Sequence, residues 1–290
     1  VIHLVLLPAM KILCTAFLLF LACACATPGA LEINTPVADS PGSYPPVIES
    51  SASRRQVVED AWRLLLAEFQ LPETRLELHP VTLTPKSLPE NLAGQMRLEN
   101  QAGKFEANTV RESLRKFLER ARIVLSGDPR TSAMTLRDVS LVSFREENGI
   151  WQAVYKQMNF PYPVLSGYGE IRLSVDQNGR LTQMSSTYLS TALLSQELTL
   201  QPKIEAQSVA EKMTGREFIY SNIAGQQMKY QAADRSNIIV KELVIMPMLK
   251  GERLELHLAW LTEIGRGPTW SVFTDAINGT ELGVKQNFVS

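Results

Sequence analysis

Residues 253–261, Arg253-Leu254-Glu255-Leu256-His257-Leu258-Ala259-Trp260-Leu261, alternate apolar and polar side chains over most of their length. Alternation with a period of two marks a β-strand with one buried face, because successive side chains point to opposite sides. Leu254, Leu256, Leu258 and Trp260 are expected to face inward, and His257 is expected on the solvent side with Arg253 and Glu255. A strand is predicted before it at Ile238–Met246. Another follows at Thr269–Asp275 and returns through Leu282–Phe288 across Asn278-Gly279, a strong hairpin signal. A short helix carrying Ala206, Val209, Ala210 and Met213 precedes these strands, between Pro202 and Gly215.

The same order stands upstream. Ser53-Arg54-Arg55-Gln56 fits a capping box, and Val58, Trp62, Leu65 and Phe69 then fall on one helical face that Pro72 ends. Leu76 to Glu99 holds three prolines and is read as short strands or loops. A second helix is predicted from a capping box at Thr109-Val110-Arg111-Glu112. Leu114, Phe117, Leu118, Ala121 and Leu125 form its buried stripe, and Ser126-Gly127 before Pro129 stops it. The period then changes to two. Val139 and Leu141 alternate, Glu147-Asn148-Gly149 turns, and Trp151, Ala153 and Tyr155 line a strand. Ile171, Leu173 and Val175 line the next, Asp176-Gln177-Asn178-Gly179 turns, and Leu181–Tyr188 returns. The expected class is α+β: two successive helix-on-antiparallel-sheet, cystatin-like domains at 53–200 and 201–290.

The remaining N-terminal residues have a different character. Lys11 follows Met10, which is read as the true start, and Ile12–Ala22 is an apolar run of about eleven residues, the pattern of an export signal. A membrane-crossing helix needs roughly twenty apolar residues. The run ends in Ala22-Cys23-Ala24-Cys25-Ala26, and two readings stay open. In one, a lipoprotein signal peptidase cuts before Cys25, or alternatively before Cys23, and that cysteine is acylated; in the other, ordinary cleavage falls among the same small residues. The body contains no cysteine, so the thiols have no structural task there, which favours the lipid. Ala26 is not the acidic residue that would favour inner-membrane retention, so an outer-membrane anchor is expected, with a periplasmic or secreted soluble protein as the alternative. Residues 1–25 are thus assigned to a signal peptide and the Pro- and Ser-rich 26–52 to a tether.

Composition excludes several classes. The formal net charge is −1, against the basic excess of a nucleic-acid binder, and the Arg-rich stretch at 104–145 is interleaved with carboxylates like a solvated helix face. After the leader only His79 and His257 remain, far apart, so no zinc site and no cofactor is expected. No HExxH, GxSxG or phosphate-binding loop occurs. Asp176-Gln177-Asn178-Gly179 starts like a calcium loop, but Arg180 and Thr187 occupy ligand positions. No catalytic residue is therefore assigned, and a non-enzymatic role is expected.

Two stretches carry a family likeness. Trp151–Gln157, Phe160-Pro161-Tyr162-Pro163-Val164, Gly169–Asp176 and Gly179-Arg180-Leu181 resemble the fungalysin/thermolysin-type propeptide domain. Leu243–Ile245, Leu254–Trp260 and Val272–Leu282, with Asp275-Ala276 before Asn278-Gly279, resemble the PepSY domain that follows it in those propeptides. In that family the pair assists folding of a zinc protease and blocks its cleft. The resemblance implies an exported binding protein that inhibits or assists a peptidase in trans, with sheet edges and the tail Lys285–Ser290 laid into the partner by strand addition. A non-inhibitory envelope interaction module and the remnant propeptide of a truncated metalloprotease are the alternatives.

Overall fold

The computed structural model describes residues 44–98, 106–130, 138–165, 167–194, 200–221, 224–266 and 269–288. Strand β1 covers Val47–Glu49 and helix α1 Ala52–Glu68, followed by α2 at Ala107–Arg120 and α3 at Arg122–Ser126. Four strands come next: β2 Val139–Glu147, β3 Ile150–Gln157, β4 Glu170–Asp176 and β5 Leu181–Ser186. Helix α4, Ala206–Met213, leads to β6 Glu217–Ser221, β7 Gln227–Gln231, β8 Ile238–Lys250, β9 Arg253–Ile264, β10 Trp270–Asp275 and β11 Glu281–Gln286. Every strand pairing is antiparallel, apart from one isolated parallel bridge between Val164 and Ile245. The class is α+β, as the alternating periods imply.

The first sheet runs β2-β3-β4-β5 in chain order. Ala153, Tyr155, Ile171, Leu173, Val175, Leu181 and Met184 bury one face beneath Val58, Trp62 and Leu65 of α1 and Leu114, Phe117 and Leu118 of α2. The segment 71–98 also joins this core through Leu76, Leu78, Leu83, Leu88, Leu92, Met96 and Leu98. It covers the outer edge of β5, where Leu181 N–H donates to Met96 O at 2.8 Å and Gly94 N–H to Leu181 O at 2.8 Å. The stop at Gly127 is as expected: its φ is +65°, and a Cβ there would stand 2.0 Å from Thr82 O, so only glycine fits.

Both predicted helix starts move. The cap of α1 is Ser51, whose Oγ accepts from Arg54 N–H, because the Arg54 guanidinium is drawn inward to Glu49 O and Val81 O. Helix α2 begins at Ala107 after Glu106, which places Thr109 inside it. Glu112 is held there by Arg115 at 2.7 and 2.9 Å, so it does not reach back to a cap.

The second sheet is ordered β1-β9-β10-β11, with β8 on the other side of β9. Helix α4 packs Ala210 and Met213 on Phe218, Ile238, Ile264, Trp270 and Val272. Sequence periodicity did not reveal the hairpin β6–β7, whose Phe218, Tyr220 and Tyr230 gather around Trp270. Strands β8 and β11 lie three spacings apart, roughly 14 Å in a flat sheet. Yet a Cβ on Gly283 would stand 3.4 Å from the Met246 methyl. The sheet is therefore curled into a half-barrel, and Val244, Ala259 and Phe273 are buried in its trough.

A further cluster joins residues from both sides of position 200. Val81, Phe160 and Leu189 pack with Ile245, Leu254, Leu256 and Leu258, and Ile48 of β1 lies among them at 1% exposure. The stretch assigned to a tether thus ends in a strand. Val47, Ile48 and Glu49 pair with Glu255, Leu254 and Arg253. Its Pro-rich composition hid a segment whose apolar residue is fixed by a distant sheet.

Candidate functional site

Strand β10 leaves β9 at the pair Asp275–Ala259, and β1 takes up the same side of β9 at Glu255. The gap between them is filled by Tyr44. Its hydroxyl accepts from Leu258 N–H at 3.0 Å and donates to Asp275 Oδ2 at 2.9 Å, while Leu256 N–H donates to Pro46 O at 2.9 Å.

Asp275 is fully buried, at 0% exposure. Its Oδ1 accepts from the backbone N–H of Ile277 at 2.8 Å and of Asn278 at 3.1 Å, which closes the turn that Gly279 completes. Asp176 does the same in the first sheet, accepting from Asn178 N–H at 2.9 Å and Arg180 N–H at 2.8 Å. That settles the calcium-like stretch as a turn. Asp275 differs in having its second oxygen shared between Tyr44 and His257 Nδ1, the latter at 2.9 Å.

His257 is 6% exposed, not solvent-facing as its polar neighbours suggest. It lies on the trough side of the curled sheet, and Tyr44 meets its ring edge-on at 5.8 Å. Its Nε2 stands 3.0 Å from Glu255 Oε2, and Lys250 Nζ reaches the same oxygen at 2.7 Å. Both ring nitrogens therefore face carboxylate oxygens. Burial opposes the charge of Glu255, but the bonds from Lys250 and His257 outweigh it and hold its carboxyl below the ordinary value. Burial first, and Asp275 second, push the Tyr44 hydroxyl well above its ordinary value.

Tyr44, Asp275, His257, Glu255 and Lys250 thus form one chain of contacts, which brings His257 out of the solvent-facing place expected for it. Their geometry is that of a clasp. Asp275 has four donors on its two oxygens, so no oxygen is left without a donor to meet a metal or a substrate. Among the described residues no group of three or more His, Cys, Asp or Glu is arranged to hold a metal ion.

His79 lies in a separate place. Its Nδ1 accepts from Val81 N–H at 3.3 Å and Thr82 N–H at 3.2 Å, so it caps the turn before Thr84. Burial, then Lys86, lowers its pKa. Gln157, part of the first family-like stretch, is also structural. Its amide donates to Leu189 O at 2.5 Å and accepts from Leu189 N–H at 3.0 Å, tying the end of β3 to the chain beyond β5.

Two surfaces bear on binding. The outer edge of β11 pairs with no described strand. Asn287 N–H donates to Thr269 O, which sets the register so that Val284, opposite Val272, turns its N–H and C=O away from β10. Val284 is 43% exposed. Of the tail, Lys285 and Gln286 belong to β11, within the return strand expected at Leu282–Phe288, and Phe288 folds onto Trp270 and Tyr220, each at 5.2 Å. Cys23 and Cys25 lie outside the described residues. No described helix is long and apolar enough to cross a membrane.

No known protein family matches the sequence, and no curated protein is similar to it. Among solved structures, the Bacillus megaterium YpeB C-terminal domain is similar over 82% of this chain and 98% of that one, at 12% identity and a TM-score of 0.32.

Proposed function

We propose that this chain is an exported, lipid-anchored binding protein that inhibits an extracytoplasmic peptidase, or assists its folding, in trans. The observation that carries the reading is the open edge of β11, whose Val284 directs a backbone donor and acceptor outward beside an exposed apolar side chain. An extended segment of a partner can add there as a further strand, with affinity from the main chain and selectivity from alternate side chains. The propeptide-like motifs support a peptidase as that partner. The use of His257 and Asp275 in a buried clasp supports a role in holding a surface in shape.

Anchoring rests on Cys25, or Cys23, becoming the acylated first residue. Fatty-acid labelling of the expressed chain is expected to persist in Cys23→Ser and vanish in Cys25→Ser, or the reverse if Cys23 is the anchor. Labelling of neither residue removes the anchor. The binding reading is tested by incubating the purified chain with the exported metallopeptidases of its own organism. Saturable inhibition, or a raised yield of refolded peptidase, is expected. Co-purification with an envelope assembly and no effect on proteolysis would replace the peptidase by another envelope partner.

A further inference from the structure

Strand β1 is fastened unlike the other strands of its sheet. It contributes only three paired residues, and it reaches the sheet from the opposite end of the chain. One apolar plug, Ile48, enters the core. The Tyr44 ring packs against the same cluster, and the rest of the hold is polar. Tyr44 is clasped to Asp275 and Leu258 N–H at one end, and Glu49 meets Arg253 at 2.7 Å and receives Arg54 on its carbonyl at 2.6 Å at the other. Without these residues, β9 would present Leu256 N–H and Leu258 N–H without their partners, beside the cavity left by Ile48 and the second oxygen of Asp275. Such a notch has the features of a strand-acceptor site: backbone donors in register, an apolar socket, and a buried carboxylate to receive a hydroxyl.

We propose that β1 is an exchangeable strand. In this assignment the notch along Arg253–Leu258 is a second docking site for an extended partner segment, occupied in cis by Tyr44–Glu49. The partner segment would carry a tyrosine-like residue followed four positions later by an aliphatic one, matching Tyr44 and Ile48. The clasp of Asp275 and His257 sets that preference, because Asp275 Oδ2 accepts from a hydroxyl placed where Tyr44 stands. This inference rests on the reading of the chain as a strand-adding binding protein, and it places a site distinct from the edge of β11.

The test uses the full chain with Cys14, Cys23 and Cys25 replaced by serine, and a fluorescein-labelled synthetic peptide of residues 44–51 as probe. Three proteins are compared: the parent, Ile48→Asp, which loosens the strap in cis, and Glu49→Cys/Arg253→Cys. The last joins directly opposed residues of a non-hydrogen-bonded pair, where the side chains approach most closely, and so locks the strap by a disulfide. Fluorescence anisotropy is expected to show saturable binding to Ile48→Asp at least about tenfold tighter than to the parent. No binding to the locked protein is expected until it is reduced, and a Tyr44→Phe version of the peptide should bind more weakly. Equal binding to locked and reduced protein, or no binding to Ile48→Asp while its circular dichroism remains that of the parent, would overturn the proposal. If Ile48→Asp does not fold, binding to the double-cysteine protein only after reduction decides in its place. The peptidase assay separates the two readings: the locked protein is expected to inhibit like the parent, because the edge of β11 is untouched, so a failed anisotropy test overturns exchange at the notch alone, whereas neither inhibition nor a raised refolding yield with either protein refutes the binding function itself.

Discussion

Replacing Asp275 by alanine removes one carboxylate and strands four donors at once: Ile277 N–H, Asn278 N–H, the Tyr44 hydroxyl and His257 Nδ1. The two side-chain donors are enclosed, and an unsatisfied buried donor costs about 1–3 kcal/mol each. The two turn bonds lie where water can reach the hairpin, so their joint loss adds about 1 kcal/mol. The expected total is about 3–7 kcal/mol, a large part of the roughly 5–15 kcal/mol that holds a domain folded. Asp275→Asn keeps the Oδ1 acceptor but turns an amide toward His257 and Tyr44, and is expected to cost about 1–2 kcal/mol. Urea unfolding followed by tryptophan fluorescence measures both, provided the slope against denaturant stays constant. A double-mutant cycle of Asp275→Asn with Tyr44→Phe should give a coupling of about 1 kcal/mol. An alanine variant within about 0.5 kcal/mol of the parent would refute the clasp.

Other substitutions probe the remaining supports. Gly127→Ala forces a Cβ into Thr82 O at a positive φ, and a loss of at least about 2 kcal/mol is expected in the same unfolding assay. Gln157→Leu leaves both polar groups of Leu189 unpaired in a buried place, for an expected cost of about 2–4 kcal/mol. His79 gives a pH signature. Its pKa is lowered in the fold, so below the ordinary 6.5 the unfolded chain takes up the proton first, and stability falls as pH drops through the folded value. His79→Asn retains an acceptor but does not titrate; urea midpoints measured from pH 7 down to 5 should fall less in this variant than in the parent. Equal slopes would contradict the capping role.

Strands β2–β5 and β8–β11 were legible because local periodicity decides them. Leu254, Leu256 and Leu258 alternate in sequence and are buried in fact, and Gly127 and Gly279 stop or turn the chain through their own backbone freedom. The clasp was not legible. Tyr44 and Asp275 are 231 positions apart, and the burial of His257 follows from the curl of a whole sheet and a strap added from the N-terminal side. Nothing local distinguishes His257 from a solvent-facing strand residue between Glu255 and Ala259. Helix starts were misplaced for a related reason: Ser51 and Ser53 both suit a cap, and the inward pull on Arg54 chooses between them. The hairpin β6–β7 is short, and its aromatic face is buried by Trp270 and Phe288, residues of later elements.

The central claim is that an outward-facing strand edge binds an exported peptidase. Val284→Pro addresses it most directly, since proline there deletes one outward N–H while the bonds from β11 to β10 stay intact. Titrating the parent and Val284→Pro against the metallopeptidases of the same organism should give saturable inhibition by the parent and a loss of at least about tenfold in the variant, with unchanged unfolding midpoints. Inhibition of equal strength by both proteins, or by neither, would contradict the account.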